Sequence, residues 1–284
     1  MRTDKFIIVY AEEITKFRKP VTCLCGVEEA EAYALFIDEI YNELATVFAV
    51  DLDLPVTLYL YPTEESYYEV NPLAEQLAGV IAHALNNRDE IAVALTRTEK
   101  LPEEVIVNNV RHEMTHLFAS NLSAGNLTTG FQEGIAQYLE QPTDAASFDP
   151  AILALALDEG RLLTWAELDE AREVYSDPQV AYPQSLSIVS FLVDQYGFPS
   201  FLQFLEATAV EPGYRSALEQ AYNVPADDLE QAWLAYLPDY FAGRWQINAI
   251  YAYDLTRVSQ LVDQGAYTDA ATELADIVTL LETT

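Results

Sequence analysis

Apolar and β-branched residues alternate between short runs and helical spacing through the first hundred positions and keep to helical spacing after that. Lys5–Tyr10 and Val21–Cys25 predict short strands, the first of them the stronger. Val27–Val50 predicts one long helix, because Ala30, Ala34, Ile37, Tyr41, Leu44 and Phe48 form a single stripe with steps of three and four. Pro55 and Pro62 bracket a strand, and Thr63-Glu64-Glu65-Ser66 opens a short helix. Gly79–Asn87 fits neither period, whereas Asp89–Leu95 predicts another strand. Pro102–Ser120 then predicts a helix. Pro102, Glu103 and Glu104 suit its start, and Val105, Val110, Met114, Leu117 and Phe118 recur at core-facing positions.

The remainder reads as helical. Thr129 and Gln132 have the spacing of a capping box ahead of Phe131–Glu140, and Pro142 stops that helix. Pro150–Gly160 and Thr164–Glu173 follow. Tyr182–Tyr196 is expected to start with Pro183 at its first helical position and to end at Gly197. Phe198–Ala209, Tyr214–Tyr222 and Asp227–Phe241 complete this half, with Trp165, Leu168, Phe201, Phe204, Leu205, Leu229, Trp233 and Leu237 assigned to the core. After Gly243 and Arg244, Trp245–Asp263 and Ala266–Glu282 predict a helical hairpin turned at Gly265. The fold class is therefore α+β: a small mixed N-terminal sheet with helices, a mostly helical half and a C-terminal helical hairpin. Residues 1–243 are expected to form one domain, with an α+β part at 1–121 and a helical part at 122–243. Residues 244–284 form the hairpin.

Composition narrows the function. The net charge of −32 excludes a nucleic-acid-binding role, which needs a basic footprint. It reads as a solvated acidic surface, with attraction of cationic peptides as the sharper alternative. No apolar run has the length of a membrane span. Phe6–Tyr10 is too short for the apolar region of a leader, so none is expected in the chain as it stands; an extracytoplasmic location would follow if the chain is a trimmed form of a longer one. Cys23 and Cys25, one residue apart, are expected to be thiols, because bridge geometry is strained at that spacing.

The chemistry concentrates at His112-Glu113-Met114-Thr115-His116. Residues i and i+4 lie one turn apart on one helical face, so His112 and His116 can aim two imidazole nitrogens at one ion. Glu113 is offset by about 100° and suits a general base rather than a third ligand. A catalytic zinc needs a third protein ligand and an open position. Glu133, in the first turn of the next helix, is the candidate. His83, the third histidine, is read as a partly buried or surface residue and not as a ligand.

His112–His116 followed by Phe131-Gln132-Glu133-Gly134-Ile135-Ala136 resembles the gluzincin metallopeptidases, the thermolysin and aminopeptidase N group, and most closely their peptidase MA-like branch. The resemblance covers residues 5–240 and implies a zincin-like fold. It implies one zinc per chain held by His112, His116 and Glu133, with Glu113 as the base and a peptide or protein as substrate. It also implies that the strand before the zinc helix is a sheet edge, so that Ile91–Leu95 either lines the cleft and pairs with substrate backbone or is an ordinary core strand. Tyr182, in a Tyr-x-Gln-Ser setting, matches a tyrosine whose hydroxyl stabilises the oxyanion. Two departures matter. A Gly-x-Met-Glu-Asn segment, which would anchor a free amino terminus, is missing, and this favours a metalloendopeptidase over an aminopeptidase. The acidic residue expected four positions after the ligand glutamate is Gln137.

The alternative function is a non-catalytic, zinc-containing module that binds peptides or proteins on a peptidase scaffold. The C-terminal hairpin resembles one tetratricopeptide repeat at Gly265, Tyr267 and Ala270 and offers a surface for a protein partner.

Overall fold

The structure is a computed structural model. It describes residues 1–16, 21–75, 80–86, 88–141, 150–246, 248–251, 258, 261–262 and 264–283. It is α+β and divides into two compact units: Met1–Leu127 with Leu139–Ser147, and Thr128–Tyr138 with Phe148–Thr284.

The first unit is built on a four-stranded sheet. Its strands are β1 (Phe6–Tyr10), β4 (Val56–Tyr61), β6 (Glu90–Ala94) and β5 (Ala82–Leu85), in the order β1-β4-β6-β5. β1, β4 and β6 are parallel, and β5 pairs antiparallel with β6. Ile8, Leu58 and Ile91 line up across the sheet in register. Together with Phe6, Val56, Leu60 and Val93 they are buried on one face, as the two-residue period of a strand requires. The opposite face at Ala92 and Ala94 packs with Tyr67 of α3 (Glu64–Tyr68). That helix starts where the sequence predicts, and Thr63 and Ser66 cap it reciprocally. A separate antiparallel pair joins β2 (Ile14–Lys16) and β3 (Val21–Cys23).

Helices α1 (Gly26–Ala34) and α2 (Ile37–Phe48) stand where one helix is expected. The break is at Leu35 and Phe36, whose amides bond to the carbonyls of Ala32 and Tyr33, three residues back. The tightened turn lets Tyr33 rather than Ala34 enter the core, while Leu35 is left 82% exposed. The stripe from Ile37 to Phe48 is buried as expected. Phe118 of α5 (Glu103–Leu122) stacks on Phe48 at 5.5 Å and lies 5.3 Å from Tyr41, which fixes the zinc-motif helix against α2. The buried Arg111 pairs with Glu43 between the same two helices. A four-residue helix, α4 (Leu95–Thr98), links β6 to this region.

The expected sheet edge is corrected. β6 lies between β4 and β5, so β5 is the edge strand on this side. The short run 82–85 carries no clean alternation, and its partner β6 is buried along nearly its whole length. The thiol expectation for the cysteines is also overturned: Cys25 is disulfide-bonded. The chain bends at Leu24, between the end of β3 and the start of α1.

The second unit is helical. α6 (Thr129–Tyr138) packs on α9 (Pro178–Tyr196), with a close approach at Gly134. A Cβ there would meet the Ser185 carbonyl oxygen at 2.5 Å and Val189 Cγ2 at 2.7 Å. Thr129 is the first helical residue of α6 rather than its cap. The segment at 164–169 forms turns, and a helix, α8 (Ala171–Ser176), begins only afterwards. Thr164 and Glu167 cap the first turn reciprocally, the Trp165 amide bonds to Glu230, and the Glu167 and Leu168 amides bond to the Thr164 carbonyl. α9 starts at Pro178, in the position expected for Pro183, which instead lies inside the helix.

α7 (Pro150–Asp158), α10 (Phe198–Thr208), α11 (Tyr214–Tyr222) and α12 (Ala226–Phe241) match the expected helices closely. Trp165, Trp233, Phe131 and Phe204 meet in this unit's core. Of the C-terminal hairpin, α13 (Tyr267–Thr283) follows a turn with Gly265 at φ 77°. The expected partner helix Trp245–Asp263, the expected stop at Pro142 and the ends of Gly79–Asn87 fall wholly or partly outside the described residues. Among the described residues, no helix is long and apolar enough to cross a membrane.

Candidate metal centre

α5 carries both histidines on one face because four residues make slightly more than one turn. The rings of His112 and His116 stand edge to face, 4.8 Å between centroids. Glu113 is buried on the same helix, at 9% exposure. Glu133 is in the second turn of α6 and is 5% exposed. Each of His112, His116 and Glu133 offers one ligand atom, and these atoms all lie within 4.8 Å of one another. Two imidazoles and one carboxylate are a donor set that suits zinc, and three protein ligands leave a position open.

Supporting contacts reach the two ligands by different routes. Nδ1 of His112 is 2.8 Å from Oε1 of Glu140. A carboxylate only accepts, so Nδ1 carries the proton and Nε2 keeps the lone pair that a metal needs. Glu140 lies just beyond the end of α6, seven positions after Glu133. The hydroxyl of Tyr175, on α8, donates to Oε1 of Glu133 at 3.2 Å. Gln137, which takes the place of the expected acidic residue, donates from Nε2 to the Glu133 carbonyl at 3.2 Å and to the Tyr182 carbonyl at 3.0 Å. Gln137 thus joins α6 to α9, and the acidic support falls to Glu140.

Sequence reasoning missed both Glu140 and Tyr175. Glu140 is one of 46 acidic residues in the chain and has no spacing signal of its own once the helix has ended. Tyr175 lies seven residues before Tyr182, the tyrosine chosen for its motif setting. The Tyr182 main-chain carbonyl is the group that Gln137 reaches.

His83 is on β5 and outside the metal cluster, in agreement with its reading as a partly buried histidine. Its Nδ1 is 3.0 Å from the Tyr67 hydroxyl, and burial pushes its pKa down to about 4. Burial raises the Tyr67 phenol pKa, and the charge of Glu113 adds to that rise. The neutral His83 ring and the protonated phenol share one hydrogen bond, whose direction is set by the His83 tautomer.

No curated protein and no solved structure matches the chain. A family model described as the peptidase MA superfamily matches residues 38–239. That span takes in His112, Glu113, His116 and Glu133 together with Glu140 and Tyr175, and the chain belongs to the peptidase MA superfamily.

Proposed function

We propose that the chain is a zinc-dependent metallopeptidase of the gluzincin type, holding one zinc through His112, His116 and Glu133. The observation that carries this reading is the convergence of those three ligand atoms in a chain of this superfamily. A bound zinc would supply a Lewis acid and bring the pKa of its water to about 7. Glu113, next to His112 and largely shielded from solvent, takes the proton lost by the attacking water and delivers it to the leaving amine. Tyr182 donates its hydroxyl to the developing oxyanion. Glu140 keeps His112 in the ligating tautomer.

The substrate is a peptide bound in extended form. The Ala94 amide bonds to the Ile81 carbonyl, so hydrogen-bonded pairs alternate from there along β5 and β6. Ala82 and Ala84 therefore direct their N–H and C=O groups away from β6, toward the sheet edge. That edge strand packs against α5. An extended peptide adding there by β-augmentation favours cleavage within a chain, an endopeptidase action.

The test is metal content and peptide hydrolysis in three proteins side by side. Wild type is expected to hold one zinc and to cleave an unfolded protein substrate. Glu113→Gln is expected to keep the zinc and lose turnover, and Glu133→Ala to lose both. Proteolysis that survives Glu113→Gln would remove the base assignment. Wild type that takes up no zinc would remove the metallopeptidase reading.

A further inference from the structure

Asn108 lies on α5 four residues before His112, one turn away on the same face, and is 4% exposed. Its side-chain amide makes two hydrogen bonds to a single residue. Nδ2 donates to the Gln141 carbonyl at 2.7 Å, and the Gln141 amide donates to Oδ1 at 2.9 Å. This is how a neighbouring strand would pair with Gln141. It also fixes the orientation of the amide, because a flipped Asn108 would set donor against donor and acceptor against acceptor.

Gln141 directly follows Glu140, whose carboxylate is the partner of His112 Nδ1. Glu140 and Gln141 lie past the last helical residue of α6. A carboxylate on an untethered segment would have to find the imidazole from many backbone states, each residue carrying conformational entropy to be lost. The clamp removes much of that freedom one residue from Glu140.

We propose that Asn108 is a positioning residue of the metal centre: by clamping the backbone of Gln141 to α5, it holds Glu140 on His112 and so presets the metal-ligating tautomer and direction of that histidine. This rests on the metal-binding reading of His112, His116 and Glu133.

The experiment is a double-mutant cycle on zinc affinity, read by competition with a chromophoric chelator on the full chain. It needs no enzymatic assay. Asn108→Leu removes both hydrogen bonds at similar volume, and Asn108→Asp keeps the size and the bond from the Gln141 amide while setting a carboxylate against the Gln141 carbonyl. Each is made in the wild-type and in the Glu140→Ala background. Thermal unfolding of the metal-free proteins shows which variants are folded, and Asn108→Asp carries the test if Asn108→Leu does not fold.

The expected result is a loss of zinc affinity of about 10-fold to 100-fold on the wild-type background, the range for removing a partner of a metal ligand. With Glu140 already replaced, the same substitution is expected to change affinity less than twofold. Unchanged affinity in the wild-type background would overturn the proposal and leave the metallopeptidase reading intact. An equal loss in both backgrounds would overturn it too, because Asn108 would then act on the fold and not through Glu140. Wild type that binds no zinc would fail at the first step and bring down the underlying reading as well.

Discussion

Nδ1 of His112 and Oε1 of Glu140 are 2.8 Å apart, and this one contact decides which nitrogen of His112 can bind a metal. The Glu140 side chain is 31% exposed, so the pair adds little to stability as an ion pair; its effect is directional. Glu140→Gln, which can still accept a hydrogen bond, is expected to weaken zinc binding less than Glu140→Ala. The alanine variant should lose about 10-fold to 100-fold in affinity. Chelator competition checks the order, and equal affinities in all three proteins would remove the orienting role.

The two tyrosines separate by what each substitution changes. Tyr175 donates to the carboxylate of Glu133, the proposed ligand. Tyr175→Phe should therefore lower zinc affinity, by about 10-fold or more if the bond has the usual strength of one to a charged group. Tyr182→Phe should leave zinc content intact and lower kcat by about 100-fold, as loss of an oxyanion donor does. The reverse pattern, with full metal and depressed kcat in Tyr175→Phe, would transfer the oxyanion role to Tyr175.

The legible parts of the sequence were those where spacing itself is the mechanism. His112 and His116 come together because a helix repeats every 3.6 residues, and Glu133 was marked by its position early in the next helix. Strand β4 was marked by its flanking prolines, and α3 by Thr63 and Ser66. What stayed hidden depends on tertiary contact. Nothing local distinguishes Leu35–Phe36 as a helix break, and Glu230, which takes the Trp165 amide, is 65 residues away in the sequence. β5 became the edge through its pairing with β6, which a four-residue run cannot announce. Asn108 did leave a trace: it is a polar residue one turn before His112 and two residues before the core position Val110.

Gly134 directly follows Glu133, the proposed ligand, and the reason for a glycine is the α9 backbone behind it. Alanine would gain about 1 kcal/mol of helix propensity. Against that, its Cβ would sit 2.5 Å from the Ser185 carbonyl oxygen and 2.9 Å from the Ser185 carbonyl carbon, main-chain atoms that cannot turn aside. Overpacking of this kind costs about 1–3 kcal/mol, and more where backbone must shift, so the net effect of Gly134→Ala is destabilising. The melting temperature should fall by several degrees, at about 2–4 °C per kcal/mol for a protein of this size. Gly213 has extended backbone and nothing within 4 Å of a built Cβ, so Gly213→Ala should leave the melting temperature nearly unchanged. Equal melting temperatures for the two variants would refute the close-approach account.

His83 gives the first unit a defined response to acid. Burial lowers its folded pKa to about 4, against about 6.5 when unfolded. Between those values the unfolded chain binds the extra proton, so stability rises with pH across that window. The contribution is fully present above about pH 6.5 and is lost as pH falls through 4. Protonation makes both ring nitrogens donors, so Nδ1 then donates to the Tyr67 hydroxyl oxygen at this 3.0 Å contact. Because the ring is partly screened by solvent, the effect is on the order of 1–2 kcal/mol. The measurement is chemical denaturation of metal-free wild type and His83→Gln from pH 4 to 7.5. Glutamine can accept the Tyr67 hydroxyl but does not titrate, so the difference between the two curves isolates His83 from the many carboxylates. Wild type should gain stability relative to the variant as pH rises from 4 to 6.5, and the difference should then stay level. Parallel curves over the whole range would mean that His83 keeps an ordinary pKa in the folded protein.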